Sequence, residues 1–583
     1  MLLTAVCTGG CSHNGNPDTG NIGSDSNSAG TDDDTSSHND DEGFPASRPE
    51  VSEDGTECIV WDVNRDHYRA LTSSDNARVF YEIFVGSFSD SDGDGTGDLR
   101  GIINRMDYLN DGDDMSGLSL GVEGIWLSPI FESPSYHKYD TTDYYRIDPS
   151  FGTMEDLKEL TNLCHERGVK IILDFVINHT GSQNKWFKDF CSAHRKGDTE
   201  SPYYDFYTWS DSGPKAGRVF SRISSCDDYY ECNFSGDMPE LNFDNEEVYN
   251  AVLDIAKYYL TDIGVDGFRF DAAKYIYFNE ESRNVEFWKR FMGDLRSINP
   301  DIYTVGEVWS SDSVTDMYAP ALNCFNFTMA QSEGMIAETV KKGDVNTYTN
   351  YVEHFENKLD SSRKDSMLVS FISNHDMDRA AGYMTVASGY AKMAANLYIL
   401  NPGSPFMYYG EEIGLRGSRG SANTDANRRL AMLWGDDDKV SDPEGTTFEK
   451  SKQGNGTVAE NLLNRSSLLN HYKRLIMIRK ANPEIASGEY LSLQFKDTFL
   501  GGFLSVGPDS GAVMVFHNTT GRAVTVDINT ATLSNGKKVS DYIDFNSIEI
   551  KEILEGGFSL EGNATALQGS NLTLDEQTSV VIR

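Results

Sequence analysis

The chain has 583 residues, more than one ordinary domain holds, and this length predicts two or three domains with large apolar cores. Its 50 lysines and arginines against 91 aspartates and glutamates give a formal net charge of −41, which disfavours nucleic acid and anionic membranes as partners. An acidic surface suits a soluble protein acting on a neutral or cationic partner, or serves solubility and salt tolerance alone. No run of eighteen apolar residues occurs, so we expect no membrane span.

The first 57 residues differ in composition from the rest of the chain. The start, "MLLTAVCTGGCSHNGN", has a short apolar stretch without a basic segment, and Cys7 or Cys11 before a polar tether resembles a bacterial lipoprotein. The region that follows is rich in Ser, Asp, Gly and Asn and is typical of a flexible spacer. We therefore predict a signal remnant and linker over 1–57, on a protein that is secreted or lipid-anchored at the cell surface.

From Val79 onward, short apolar runs alternate with helical patterns such as "MEDLKELTNLCHERG". Near-continuous apolar strands separated by helices indicate a parallel sheet buried on both faces. Eight such units predict an α/β fold, a (β/α)₈ TIM barrel over 58–179 and 243–484. The predicted strands are 79–88, 122–131, 169–179, 265–273, 302–309, 321–327, 367–376 and 405–414.

Two regions depart from this alternation. Residues 180–242 are too long for an ordinary loop and predict a small domain inserted after the third strand. Within it, Cys226 and Cys232 could form a disulfide in an oxidising compartment. Residues 485–583 contain short alternating strands such as "AVMVFHN" and "SVVIR", which predict a C-terminal antiparallel β-sandwich.

Polar residues stand at the C-terminal ends of the predicted strands, where barrels of this type build their active sites. Side chains alternate along a strand, so Arg269 and Asp271 share one face, and the arginine keeps the aspartate ionised. Glu307 ends the fifth strand in "GEVW", and Asp376 ends the seventh in "SNHD". Carboxylates held close raise one another's pKa, so one keeps its proton opposite an ionised partner. Retaining glycoside hydrolysis requires that pairing, although Arg269 and Asp271 alone could form a bracing ion pair.

Four stretches, "DFVINH", "GFRFDAAKY", "GEVW" and "SNHD", resemble the ordered signature regions of the alpha-amylase family of glycoside hydrolases, and "MPELN" (238–242) resembles a fifth. The resemblance implies the same barrel, inserted domain and C-terminal sandwich. It implies that Asp271 is the nucleophile, Glu307 the general acid/base and Asp376 the carboxylate that holds the sugar ring. It also implies substrate contacts from Arg269, His179, His375, Tyr139, His137, Asp140, Lys274 and Arg429.

The segment "DSDGDGTGD" (90–98) follows the first strand and carries alternating aspartates before a glycine, a pattern typical of calcium loops. It resembles the calcium loop of many alpha-amylase family members. The predicted ligands of this structural Ca²⁺ are Asp90, Asp92, Asp94, Asp98 and the carbonyl of Thr96. A second family calcium site, at Asn178 and Glu240, stays open.

These features predict an endo-acting α-amylase that cleaves α-1,4 bonds in starch and maltooligosaccharides with retention of configuration. "MPELN" and Ala272 resemble α-1,4-acting members more than α-1,6-glucosidases. The alternatives are an α-glucosidase or transglycosylase on short α-glucans, or a non-catalytic glucan-binding protein. We expect an α-glucan substrate, no nucleic-acid partner and a monomer.

Overall fold

The computed structural model of the protein describes residues 63–66, 77–114, 116–215, 217–363, 365–496, 500–508, 511–556 and 564–583. The predicted signal remnant and linker over 1–57, with Cys7 and Cys11, lie outside these ranges. None of the helices in the described ranges has both the length and the apolar character that a membrane span requires.

A parallel sheet forms the barrel, and its strands are fully buried, as the near-continuous apolar runs predict. The strands are β1 (Phe80–Ile83), β2 (Gly124–Leu127), β3 (Lys170–Phe175), β4 (Gly267–Phe270), β5 (Tyr303–Gly306) and β6 (Phe406–Tyr408). Their order in the sheet is β5-β4-β3-β2-β1-β6.

The predicted strands at 321–327 and 367–376 close the barrel between β5 and β6 through single bridges. Cys324 bridges Gly306, and Phe325 bridges Val369, both in parallel. Phe406 N–H then donates to the Ser370 carbonyl at 2.8 Å. The ladder at 321–327 is short because the Asn326 side chain accepts from Met329 N–H and turns the chain. The eight-unit barrel is confirmed, with two units reduced to bridges.

Helices alternate with the barrel strands and bury their apolar stripes. The helix Met154–Glu166 begins with a capping box between Thr153 and Asp156 and buries Leu157, Leu160 and Cys164. The α-helices of the described ranges are Leu99–Asn104, Met106–Leu109, Met154–Glu166, Lys185–Lys196, Glu246–Tyr258, Glu281–Ile298, Asp312–Tyr318, Met335–Lys342, Val345–Asp360, Tyr390–Ile399, Val458–Leu462, Leu468–Ala481 and Pro483–Ser487.

The segment after β3 carries the helix Lys185–Lys196 and a small three-stranded sheet of Trp209–Ser210, Phe220–Arg222 and Tyr229–Glu231. Bridges from His179 to Glu240 and from Tyr207 to Leu241 return the chain to the barrel mouth. Cys226 and Cys232 are free thiols. Their Sγ atoms contact Asp228 and Ser221 respectively.

The C-terminal region contains two antiparallel sheets that pack over a shared apolar core. This confirms the predicted β-sandwich. One sheet consists of Glu489–Leu493, Leu500–Gly507, Gly511–Asn518, Thr578–Ile582 and Ile550–Glu555; the other consists of Val524–Asp527, Asn571–Leu574 and Ala566–Gln568.

Candidate active site

Arg269, on β4, is the centre of the site. Its guanidinium lies 5.0 Å over the ring of Trp126 on β2 and is fully buried. Nη1 donates to Asp271 at 2.7 Å and to Asp174 at 2.9 Å, and Nη2 donates to Glu307. One arginine therefore gathers three carboxylates from the ends of β3, β4 and β5. Both Asp271 and Glu307, predicted from neighbouring strand ends, belong to this cluster.

Asp174, which sequence reasoning left out of the site, is the most enclosed of the three. Its side chain has no exposed surface. Burial raises its pKa to about 7, against the opposing charge of Arg269. Tyr139 O–H donates to its Oδ2 at 3.0 Å. The signal for its role was its place at the end of β3, in "DFVINH".

Glu307 and Asp376 have opposite electrostatic environments. Burial raises the pKa of Glu307 to about 8, and the negative charges of Asp271 and Asp376 add to that rise against Arg269. Burial alone would raise the pKa of Asp376, but the charges of His375, Arg429 and Arg269 hold it well below its ordinary value. At neutral pH the site thus holds a protonated acid close to an ionised carboxylate.

His375 joins Asp376 to a carboxylate on β1 that the sequence analysis did not single out. Its Nδ1 lies 2.5 Å from Glu82 Oε1, and its Nε2 lies 3.1 Å from Asp376 Oδ2. Although burial lowers the pKa of His375, Asp376 and Glu82 together raise it to about 10, so both ring nitrogens carry protons. Nε2–H also reaches Tyr139 Oη at 2.6 Å, and the two rings stack at 5.5 Å.

The remaining predicted contacts frame this cluster. Arg429 Nη2 donates to Asp376 at 2.8 Å, and Lys274 Nζ donates to the Trp309 carbonyl at 2.9 Å, two residues beyond Glu307. His179 Nε2–H donates to the Tyr139 carbonyl at 3.2 Å. Asp140 and His137 bind residues of their own loop instead. The hydroxyls of Ser133 and Ser135 donate to the Asp140 carboxylate, and His137 Nδ1 contacts the Ser135 hydroxyl.

An open cleft of about 820 Å³ leads to Asp376 and is lined in part by Trp309, Gln331, Tyr383 and Arg416. Trp309 is 41% exposed and stacks on Phe327 at 5.0 Å. Flat aromatic faces beside a carboxylate pair suit the C–H faces of sugar rings.

Comparisons with known proteins show the family to which the chain belongs. The family model "Alpha amylase, catalytic domain" matches residues 82–488, more than half of the chain. The protein belongs to the alpha-amylase family. Within this family of glycoside hydrolases, it is 35% identical to "Alpha-amylase 3" of Dictyoglomus thermophilum, over 82% of this chain and 92% of that protein.

Two further proteins are similar to this chain, and one of them is named for a different activity. A 4-alpha-glucanotransferase of Thermotoga maritima is 31% identical, covering 77% of this chain and 97% of its own. The solved structure "Eubacterium rectale Amy13B" superposes with a TM-score of 0.77 at 31% identity, over 87% of this chain and 96% of its own. The relatives thus share the family but differ in the activity for which they are named.

The segment 90–98, here called the acidic loop, brings three of its four aspartates together. One carboxylate oxygen each from Asp90, Asp92 and Asp98 lies within 4.8 Å of the others. Asp94 instead accepts from Thr96 N–H at 2.7 Å and stands outside this group. These oxygens fit the hard oxygen donors that Ca²⁺ prefers.

The second family calcium site, at Asn178 and Glu240, stays open. Asn178 Oδ1 is buried without a hydrogen-bond partner among the described residues. Glu240 accepts from Asn233 N–H at 2.9 Å, and burial together with Glu231 raises its pKa to about 8.

Proposed function

We propose that the protein is an endo-acting α-amylase that cleaves α-1,4 bonds of starch and maltooligosaccharides with retention of configuration. One observation carries the proposal: Arg269 binds Asp271 and Glu307 together, while burial keeps the proton on Glu307. A carboxylate nucleophile and a protonated acid are the two groups that double displacement needs, and one guanidinium binds both side chains.

In the first step, Asp271 attacks the anomeric carbon as the glycosidic C–O bond breaks, and the leaving oxygen takes the proton of Glu307. In the second step, Glu307 takes a proton from water, whose oxygen attacks the anomeric carbon and releases Asp271. Asp376, fixed by Arg429 and His375, accepts hydrogen bonds from hydroxyls of the same sugar and favours ring distortion.

The test is a product time course on soluble starch, with pullulan and isomaltose in parallel and the anomer followed by NMR. We expect mid-length maltooligosaccharides early, first released as the α-anomer. Release of the β-anomer would contradict the mechanism. Glucose alone, or cleavage of isomaltose, would replace the proposal with an α-glucosidase.

The variant Asp271→Asn tests the nucleophile. It should lose at least about a thousandfold in kcat while keeping its melting temperature. A folded variant with retained activity would contradict the assignment of the nucleophile.

A second candidate, transfer of glucan to a sugar acceptor, has its own supporting observation. Trp309 is exposed beside the acid/base, and an aromatic face there suits an acceptor sugar that competes with water. A relative at 31% identity is named a 4-alpha-glucanotransferase. Incubation with maltotriose separates the two activities, since only transfer yields chains longer than the substrate.

We also propose that Asp90, Asp92 and Asp98 bind a structural Ca²⁺. The convergence of their oxygens supports this, and the cation would neutralise charges that otherwise repel one another. Calorimetric titration of the chelator-treated protein with Ca²⁺ should give binding that Asp92→Asn weakens. No heat of binding in the wild type would refute the site.

A further inference from the structure

The cleft beside Asp376 is basic, although the chain as a whole carries a formal charge of −41. Five basic residues line it: Arg379, Arg416, Arg419, Arg428 and Lys452. Three of them are neutralised by carboxylates, in the ion pairs Arg419–Asp425, Arg428–Asp378 and Lys452–Glu449.

Arg416 and Arg379 differ from the other three. Among the described residues, no carboxylate lies within 4.0 Å of either guanidinium. Arg379 donates to the carbonyls of Arg428 and Tyr409, at 2.9 and 2.7 Å, and its Nη2 is buried without a partner. Arg416 has one long contact, from Nη2 to the Gly454 carbonyl at 3.4 Å, and its Nε is also buried without a partner. The wall thus contains one guanidinium, that of Arg416, that no described carboxylate contacts, whereas the buried carboxylate of Glu412 partly offsets the charge of Arg379.

The backbone fixes the position of these two residues. Arg379 N–H donates to the Gly417 carbonyl at 2.9 Å, and Arg416 N–H donates to the Gln453 carbonyl at 2.6 Å. Gly417 lies so close to the next loop that an added Cβ would come within 2.0 Å of the Asn427 carbonyl oxygen. The loop that carries Arg416 therefore needs little ordering of its backbone when it binds a ligand.

We propose that Arg416 binds a phosphate monoester on the substrate, so that the cleft accepts phosphorylated α-glucan chains. The planar guanidinium matches phosphate oxygens in a two-bond geometry, and the dianionic ester supplies the charge that the wall lacks. Neutral hydroxyls would leave that charge uncompensated in a partly buried site. The aromatic faces of Trp309 and Tyr383 line the same cleft and suit the sugar rings that carry the ester.

This inference rests on the proposed hydrolysis of α-glucans, and the test separates the two. Size-matched maltooligosaccharides, neutral or with one phosphate monoester, are compared by kcat/KM in the wild type, Arg416→Gln, Arg416→Lys and Arg419→Gln. We expect the ratio of phosphorylated to neutral kcat/KM to fall about tenfold in Arg416→Gln and less in Arg416→Lys. Arg419→Gln removes the same charge from a side chain already paired with Asp425, so the ratio should stay within about twofold.

Ionic strength and inorganic phosphate provide two further tests of the phosphate subsite. Raising the ionic strength should lower the wild-type ratio, because screening weakens the ester contact and leaves the neutral substrate nearly unaffected. Inorganic phosphate should compete with the phosphorylated substrate at Arg416. Inhibition by inorganic phosphate without any preference for the esterified chain would show a free-phosphate site and overturn the substrate assignment.

The overturning results are distinct from a failure of the proposed function. A wild type that prefers neutral chains, or an Arg416→Gln variant that loses both substrates equally, refutes the phosphate subsite while amylase activity stands. If the wild type cleaves neither substrate, the proposed function fails. Calorimetry then compares Asp271→Asn with the double variant Asp271→Asn/Arg416→Gln. The added Arg416→Gln change should weaken binding of the esterified chain about tenfold more than binding of the neutral one.

Discussion

Two groups of carboxylates in this protein solve the problem of mutual repulsion in different ways. At the barrel mouth, Asp174, Asp271 and Glu307 share the guanidinium of Arg269, which is fully buried. In the acidic loop, no lysine, arginine or histidine of the described residues lies within 4.0 Å of Asp90 or Asp92. There, backbone N–H groups of 92, 93 and 95 point at Asp90.

The difference teaches how each group of carboxylates is held. At the barrel mouth, the guanidinium of Arg269 fixes the geometry of the carboxylates, while burial raises the pKa of Asp174 and Glu307. Backbone dipoles orient the loop oxygens but leave their net charge, so an external cation has a place there. Removal of the Arg269 guanidinium should therefore destabilise the protein more than removal of a cation from the acidic loop.

The largest effect is expected from Arg269→Met. It leaves three buried carboxylates without their counterion, so the free energy of unfolding should fall by about 3–5 kcal/mol, and kcat should fall below detection. Urea unfolding monitored by circular dichroism measures the free energy of unfolding, and starch hydrolysis measures kcat. The matched control, Arg283→Met, removes an exposed partner of Asp244 and should cost about 1 kcal/mol or less. Equal midpoints for the two variants would refute the view that Arg269 holds the cluster together.

Much of this architecture followed from the sequence because buried parallel strands are apolar along their length and carry polar groups at their ends. The run 79–88 predicted β1, and the strand stops at Ile83 because Val85–Ser87 forms a 3₁₀ turn. Asp271, Glu307 and Asp376 were predicted for the same reason, as polar residues just beyond apolar strands.

Glu82 could not be found in this way. It lies inside the apolar strand β1, and its partner His375 is 293 residues away in the sequence. A buried carboxylate in the middle of a strand marks an unusual position. Only the closed barrel, in which β6 lies between β1 and the segment at 367–376, shows what it binds.

The second largest effect concerns the proton of Glu307. Its raised pKa of about 8 means that the acid form is lost as the pH rises through that value, so kcat/KM should fall about tenfold per pH unit on the basic side. Rates on maltooligosaccharides between pH 5 and 10 measure this limb. A maltoside with a nitrophenyl leaving group needs little protonation, and Glu307→Gln should keep much of its first step on that substrate. A basic limb that persists unchanged in Glu307→Gln would assign it to another group.

A smaller effect is expected from Glu82→Gln. The amide keeps a hydrogen bond to His375 Nδ1 but removes the charge that helps raise the pKa of that imidazole to about 10. His375 should then lose its proton at lower pH and hold Asp376 less firmly, with kcat/KM down about tenfold. The ¹⁵N shifts of His375 against pH report the change directly. Glu412→Gln is the control, because that buried carboxylate binds Tyr81 and Tyr108 instead. An unchanged His375 titration in Glu82→Gln would remove Glu82 from the site.

The smallest effect on turnover is expected from the acidic loop. With Ca²⁺ at 100 times its dissociation constant, the folded protein gains about 2.7 kcal/mol, so chelation should lower the melting temperature and change kcat by less than about twofold well below it. Asp92→Asn should abolish the response to Ca²⁺, since Asp92 is one of the three converging carboxylates. Asp94→Asn should keep most of it, because Asn also accepts from Thr96 N–H and the Asp94 carboxylate lies outside the group. If both variants lose the response equally, then Asp94 is a ligand, as the sequence pattern predicts, and the loop rearranges around the ion. If neither does, the stabilising cation binds elsewhere, and the backbone dipoles alone hold the loop.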